Sequence, residues 1–189
     1  MALRHAIEST LLVMGEASGY DLSKEFDGAR ATFWMAAPQQ LYRELDKMEA
    51  DGVIVARTVE QEKRPNKRVF RLTSAGRAEL REFTAGSPRQ TAIRDELMVM
   101  VQAIDVADPI AVGATIRERR EGAIAKLAYY DRIERRWLGE RSREQVLADP
   151  HLAGPYLTLL RGMRFERENL DWYELALPVI EARAAGSGR

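Results

Sequence analysis

Eight cations fall between Arg57 and Arg81: Arg57, Lys63, Arg64, Lys67, Arg68, Arg71, Arg77 and Arg81, opposed by Glu60, Glu62 and Glu79. A stripe of that kind can contact phosphates, even though the whole chain balances 29 basic against 29 acidic residues. The local distribution matters more than net charge for binding a polyanion. Charge alone also fits a solvated basic surface, and by itself favours it. Other residue types suggest other chemistry. Glu166, Glu168, Asp171 and Glu174 form a run of carboxylates, but Arg161, Arg164 and Arg167 alternate with them, as on a salt-bridged helix face. Tyr129, Tyr130, Trp137, Tyr156, Trp172 and Tyr173 could stack a flat aromatic ligand or fill a core or interface. Each of the two histidines, His5 and His151, reads as a surface residue or cap. There is no cysteine, hence no disulfide or thiolate site, and a reducing compartment suits the chain. No nucleotide loop, nucleophile elbow or metal-ligand spacing stands out, so an enzyme is not expected and neither is a cofactor or a metal.

The stripe needs elements to position it. Ile7, Leu11 and Met14 share one face of a helix over residues 3–14. Ser18 and Asp21 have capping spacing for a second helix carrying Tyr20, Leu22 and Phe26. Pro38 suits the first turn of a third helix. There Leu41, Leu45 and Met48 line one face, while Gln40, Arg43, Glu44 and Lys47 line the other. Gly52 is placed to end it in a left-handed conformation. Strands are predicted at Val53–Val59 and Arg68–Leu72. Lys63-Arg64-Pro65-Asn66-Lys67 turns between them. Thr73 or Ser74 then caps a fourth helix. Three helices, a two-stranded ribbon with a cationic tip and a closing helix make a winged helix-turn-helix. Its third helix fits a DNA major groove, and its ribbon tip reaches a phosphate or the minor groove.

At these residues the chain resembles the PadR family of transcriptional regulators. The resemblance rests on Gly19-Tyr20-Asp21-Leu22, on Phe33-Trp34, on the run from Gln39 to Ile54, and on the run from Arg64 to Arg77. It implies a homodimer that binds an inverted-repeat operator, usually as a repressor. It also implies that Gln39, Gln40, Arg43 and Lys47 face the major groove. Tyr42 would reach a phosphate or pack, and Arg64, Asn66, Lys67 and Arg68 would hold the DNA backbone. Related regulators sense phenolic compounds or drugs. Tyr130, Trp137, Tyr156, Trp172 and Tyr173 are therefore candidates for an aromatic effector site or for the dimer contact. Where the family often has His-Gly or Ser-Gly before the glutamine, this chain has Ala36-Ala37-Pro38.

Beyond Ala85-Gly86-Ser87-Pro88 the pattern is helical: residues 91–104, then a helix opening at Asp108-Pro109, then one opening at Asp149-Pro150. In the last, Tyr156, Leu159, Met163, Glu166, Leu170, Tyr173 and Leu177 step by threes and fours, with Glu166 the polar intruder. Such stripes need burial. An antiparallel helical dimerisation domain provides it, and an intrachain bundle is the alternative. The expected class is mainly α with a small two-stranded β-ribbon. Residues 1–85 form the DNA-binding domain, 86–183 the dimerisation domain and 184–189 a disordered tail. The expected partners are operator DNA, a second copy of the chain and an aromatic effector, with no membrane and no signal peptide. A cytoplasmic, nucleoid-associated location is expected. The alternative function is a winged-helix module for protein or ligand binding that does not read DNA sequence. The neutral chain and the acidic Glu44, Asp46, Glu49 and Asp51 motivate it.

Overall fold

A computed structural model describes residues 2–27, 34, 36–60, 66–88 and 94–186. The chain divides into two compact units, Met1–Arg89 and Gln90–Arg189. The first is a winged helix. It runs α1 (Ala2–Met14), β1 (Glu16–Ser18), α2 (Gly19–Asp27), α3 (Pro38–Ala50), β2 (Ile54–Val59), β3 (Lys67–Leu72) and α4 (Ser74–Ala85). Its core takes Ile7 and Leu11 from α1, Leu22 and Phe26 from α2, and Leu41, Leu45 and Met48 from α3. Ile54, Phe70 and Leu72 from the strands complete it. The period of 3.6 residues puts the three α3 side chains on one face, and all three are fully buried.

The sheet has three strands where the sequence predicts two. β2 and β3 pair antiparallel from Ile54–Leu72 to Val59–Lys67, and β1 adds to the other edge of β3 through Glu16–Arg71 and Ser18–Val69. An open strand edge leaves backbone groups without partners, and a three-residue segment suffices to take them. Gly15, at φ +74°, turns the chain out of α1 to reach that edge.

Local signals place the helix ends. The Asp21 carboxylate accepts from the Ser18 hydroxyl and backbone N–H, while the Asp21 N–H donates back to Ser18 Oγ. These bonds, the hydroxyl's foremost, hold the Asp21 carboxyl below its ordinary pKa against the opposing effect of burial. Gly52 ends α3 at φ +73°. Thr73 caps α4 by accepting from the Gly76 N–H. Gly76 itself permits a close approach, because a Cβ there would sit 2.2 Å from the Val53 carbonyl oxygen.

The second unit comprises α5 (Glu96–Gln102), α6 (Pro109–Leu138), α7 (Arg143–Ala148) and α8 (Ala153–Gly186). α6 and α8 run antiparallel. Partners on α8 fall in number as those on α6 rise: Arg117 with Glu181, Arg120 with Glu174, Lys126 with Glu166, and Glu134 with Tyr156. The packed stripe separates into two clusters. One holds Leu97, Val112, Ile116, Ala123, Tyr173 and Ile180; the other holds Tyr130, Val146, Tyr156, Leu159 and Met163. Glu166 is buried within the α8 stripe because Lys126 Nζ lies 3.0 Å away.

Three expectations change here. The helix predicted from residue 91 begins at Glu96, where Asp95 Oδ1 accepts the Leu97 N–H; residues 91–93 lie outside the described residues. α7, started by the reciprocal Ser142–Gln145 cap and held by buried Val146, precedes Asp149, and α8 begins at Ala153 rather than at Pro150; Asp149 caps the turn between them, its Oδ1 accepting the His151 N–H and its carbonyl the Ala153 N–H. The tail expected from residue 184 is helical to Gly186, since Ala184 and Ala185 are strong helix formers; residues 187–189 lie outside the described residues. Among the described residues, no helix is long and apolar enough to cross a membrane.

Candidate nucleic-acid interface

α3 meets the steric requirement for a groove-reading helix. With Leu41, Leu45 and Met48 inside, Gln39, Gln40, Tyr42, Arg43 and Lys47 are all exposed. Leu3, Trp34, Gln40, Arg43, Glu44 and Lys47 border a shallow groove of about 510 Å³. Trp34 is half-buried and packs on the core from the edge of that groove. Two candidate side chains are turned partly to their own helix. The Ala37 N–H donates to Gln40 Oε1 at 3.4 Å, and Arg43 Nε donates to the Gln39 carbonyl at 3.3 Å. Tyr42 packs over Gly19, where a Cβ would come within 2.5 Å of its ring, yet it stays 46% exposed.

The cationic stripe is less uniform than its sequence suggests. Arg68 is held by α3: Nη1 lies 3.2 Å from Asp46 Oδ1, Nη2 bonds Glu49, and the guanidinium lies 5.2 Å from the Phe70 ring centroid. Arg57 forms a two-pronged pair with Glu16, whose carboxyl is held below its ordinary pKa chiefly by that bond. Lys67 is exposed, with Asp21 Oδ2 4.0 Å away. Asn66, Arg71, Arg77 and Arg81 are exposed as well. Lys63 and Arg64 lie outside the described residues. Asp46 and Glu49, read from sequence only as acidic neighbours of α3, are therefore the clamp that joins β3 to it. Their i, i+3 spacing shows that they share a face, but nothing local names a partner 19 to 22 residues away.

The five aromatic candidates do not converge on one cavity. Tyr130, Trp137 and Tyr156 belong to one cluster of the second unit, and Trp172 and Tyr173 to the other. Tyr130, Tyr156 and Tyr173 are buried, whereas Trp137 and Trp172 are half-buried. The Tyr156 hydroxyl donates to Glu134 Oε1 at 2.7 Å, and Arg143 Nη2 lies 2.8 Å from the same oxygen. Burial pushes the Tyr156 hydroxyl, helped by its bond to Glu134, up to about 12. Two of the four carboxylates in the run are salt-bridged, and across to α6 rather than to the arginines that alternate with them: buried Glu166 pairs with Lys126 and Glu174 with Arg120. His151 is exposed, as expected. His5 is not a surface residue, because it is half-buried and stacks on Phe83 at 4.0 Å.

A winged helix with a free polar helix face belongs among DNA-binding-type regulators, and the relatives agree. Residues 10–82 match the Transcriptional regulator PadR-like family, and residues 93–181 match Virulence activator alpha C-term. The chain is 33% identical to the probable transcriptional regulator Rv1176c of Mycobacterium tuberculosis, over 97% of this chain and all of that protein. It belongs to the PadR-like family of transcriptional regulators. Bacillus subtilis PadR, solved in complex with operator DNA, superposes with a TM-score of 0.73 at 27% identity, covering 95% of this chain and 99% of that one. The same protein in complex with p-coumaric acid gives 0.66, over 96% and 99%. The Vibrio cholerae virulence activator AphA gives 0.70 at 28% identity, over 96% and 99%.

Proposed function

We propose that this chain is a homodimeric repressor that binds a two-fold-symmetric operator and responds to an aromatic small molecule. α3 enters the major groove with Gln39, Gln40, Arg43 and Lys47 toward base edges and Tyr42 toward the backbone. The ribbon tip, with Arg64, Asn66 and Lys67, follows the adjacent phosphates. The observation that carries this reading is the division of α3: Leu41, Leu45 and Met48 are fully buried, while Gln39, Gln40, Arg43 and Lys47 are exposed. Arg68 takes a second role. Clamped to Asp46 and Glu49, it sets the angle of the ribbon against α3, and much of its charge is already answered.

Pairing of two copies through the second unit fits the apolar side chains that α8 leaves exposed, Leu157, Phe165, Leu175 and Val179. Two copies related by a two-fold axis match a palindromic site. The effector proposal rests on the B. subtilis protein's complex with p-coumaric acid and on the half-buried Trp137 and Trp172. An effector that prefers one dimer geometry changes operator affinity by that preference alone.

Footprinting on DNA upstream of the chain's own gene tests the proposal, with a protected two-fold site as the expected result. Affinity falls with salt by about 0.9 in log–log slope for each phosphate neutralised. Lys67→Ala lowers that slope by about one and weakens all sequences alike. Arg43→Ala costs about 1–3 kcal/mol and relaxes one position of the site. A panel of phenolic acids that leaves operator affinity unchanged removes the effector from the proposal. The second reading, a protein-binding module, is favoured by the acidic residues that neutralise Arg68. A flat footprint would select it.

A further inference from the structure

The polar cluster between α1 and α4 contains none of the residues proposed above to contact DNA. Glu8 is completely buried, and neither of its carboxylate oxygens has a hydrogen-bond partner; His5 Nδ1 is buried and unpartnered too. An unsatisfied buried carboxylate is strongly disfavoured unless a proton or a cation answers it. His5 and Glu8 stand three residues apart on one face of α1, and Glu79 faces them from α4. One ligand atom from each of the three lies within 4.8 Å of the others. Phe83 stacks on the imidazole at 4.0 Å and 9°, which sets the ring plane. An open cavity of about 520 Å³, bordered by His5, Glu79, Glu82, Phe83, Thr84, Gly86, Ser87 and Pro88, gives an approach from solvent.

We propose that His5, Glu8 and Glu79 form a divalent transition-metal site that ties α1 to α4. One imidazole nitrogen and two carboxylates are the donor set of a zinc-type ion, with a fourth position left to water from the cavity. The local charge agrees. Arg4 pairs with Asp51 at 2.6 Å and meets both oxygens of Glu79, Oε1 at 2.7 Å and Oε2 at 3.1 Å, while His5 Nε2 lies 3.8 Å from Oε1. Against that one positive charge stand the carboxylates of Glu8, Glu79 and Asp51, an excess of two negative charges. Arg4 therefore competes for Glu79, and a metal would have to displace it from one of the two Glu79 oxygens, leaving it Asp51 and the other. Without metal the site holds a proton instead, since burial, with Glu79's charge, pushes the Glu8 carboxyl up to about 7 against the opposing pull of Arg4.

The test uses tag-free, chelator-treated full chain, titrated with ZnCl₂ by calorimetry and followed by thermal melting. One Zn²⁺ per chain is expected, with a higher melting temperature. At a hundredfold excess over Kd the unfolding equilibrium constant falls about a hundredfold. His5→Ala and Glu79→Gln, checked for native circular dichroism, lose both responses, while His151→Ala keeps them. Glu8→Gln, of the same size and uncharged, folds without metal and binds it at least tenfold more weakly. With Co²⁺ in place of Zn²⁺, a visible absorption band appears for the parent chain and not for His5→Ala. Absence of saturable binding overturns the site, as does binding that survives His5→Ala or is lost in His151→Ala. A melting temperature indifferent to Zn²⁺ overturns it too.

Discussion

The two units bury acidic side chains in opposite ways. In the second unit Glu134 receives the Tyr156 hydroxyl and Arg143, and Glu166 receives Lys126 and the Asn169 amide. In the first, Glu8 receives nothing. Bonds to a buried carboxylate stabilise its ionised form and let it serve as a joint between helices; a carboxylate without them is held in the acid form or awaits a ligand. The contrast explains how long helices tolerate glutamates in their packed stripes. It also marks the first unit as the place where a small cation would change stability.

The largest effect that tests this contrast is Glu134→Ala, which leaves the buried Tyr156 hydroxyl without an acceptor and opens a cavity. It should cost about 3 kcal/mol in urea unfolding followed by Trp137 and Trp172 fluorescence. Tyr156→Phe should cost about 1–2 kcal/mol, because Glu134 keeps Arg143. Lys126→Ala should cost about 1 kcal/mol, since the lysine is half exposed and screened by water. Glu8→Gln should change metal-free stability at neutral pH by less than about 1 kcal/mol, read from Trp34, because it removes a charge that burial already disfavours. If Glu8→Gln cost as much as Glu134→Ala, the contrast would be lost.

The same carboxylates give the units opposite pH responses. Burial alone would raise the Glu134 carboxyl, but its bonds from Tyr156 and Arg143 and the arginine's charge outweigh burial and hold it below the ordinary value of 4.5. Its contribution is therefore complete above that value and is lost as pH falls through the lower folded one. The Glu8 carboxyl is raised, so in chelator-treated protein the first unit loses stability as pH climbs from 4.5 toward 7. Tyr156 adds an alkaline limit. Stability falls as pH rises above 10, where the unfolded hydroxyl ionises and the folded one, at about 12, does not. Unit-specific fluorescence across pH 3–11 checks all three signs.

Sequence by itself determined what neighbours along the chain decide. The apolar spacing of Leu41, Leu45 and Met48 set which face of α3 is buried and left Gln40, Arg43 and Lys47 outside. Ser18 with Asp21, and Gly52 after α3, marked helix ends because capping acts within one turn. The α8 stripe was legible for the same reason. Tertiary structure alone decided the rest. β1 has no strand signature and exists because β3 offers an open edge. Arg68 turned from a free cation into a clamp through residues some twenty positions away. The five aromatics fell into two clusters. His5 and Glu8 met Glu79 only when α4 packed against α1. Periodicity and caps act over a few residues, whereas charge pairing and desolvation depend on which distant side chains the fold brings within a few ångströms.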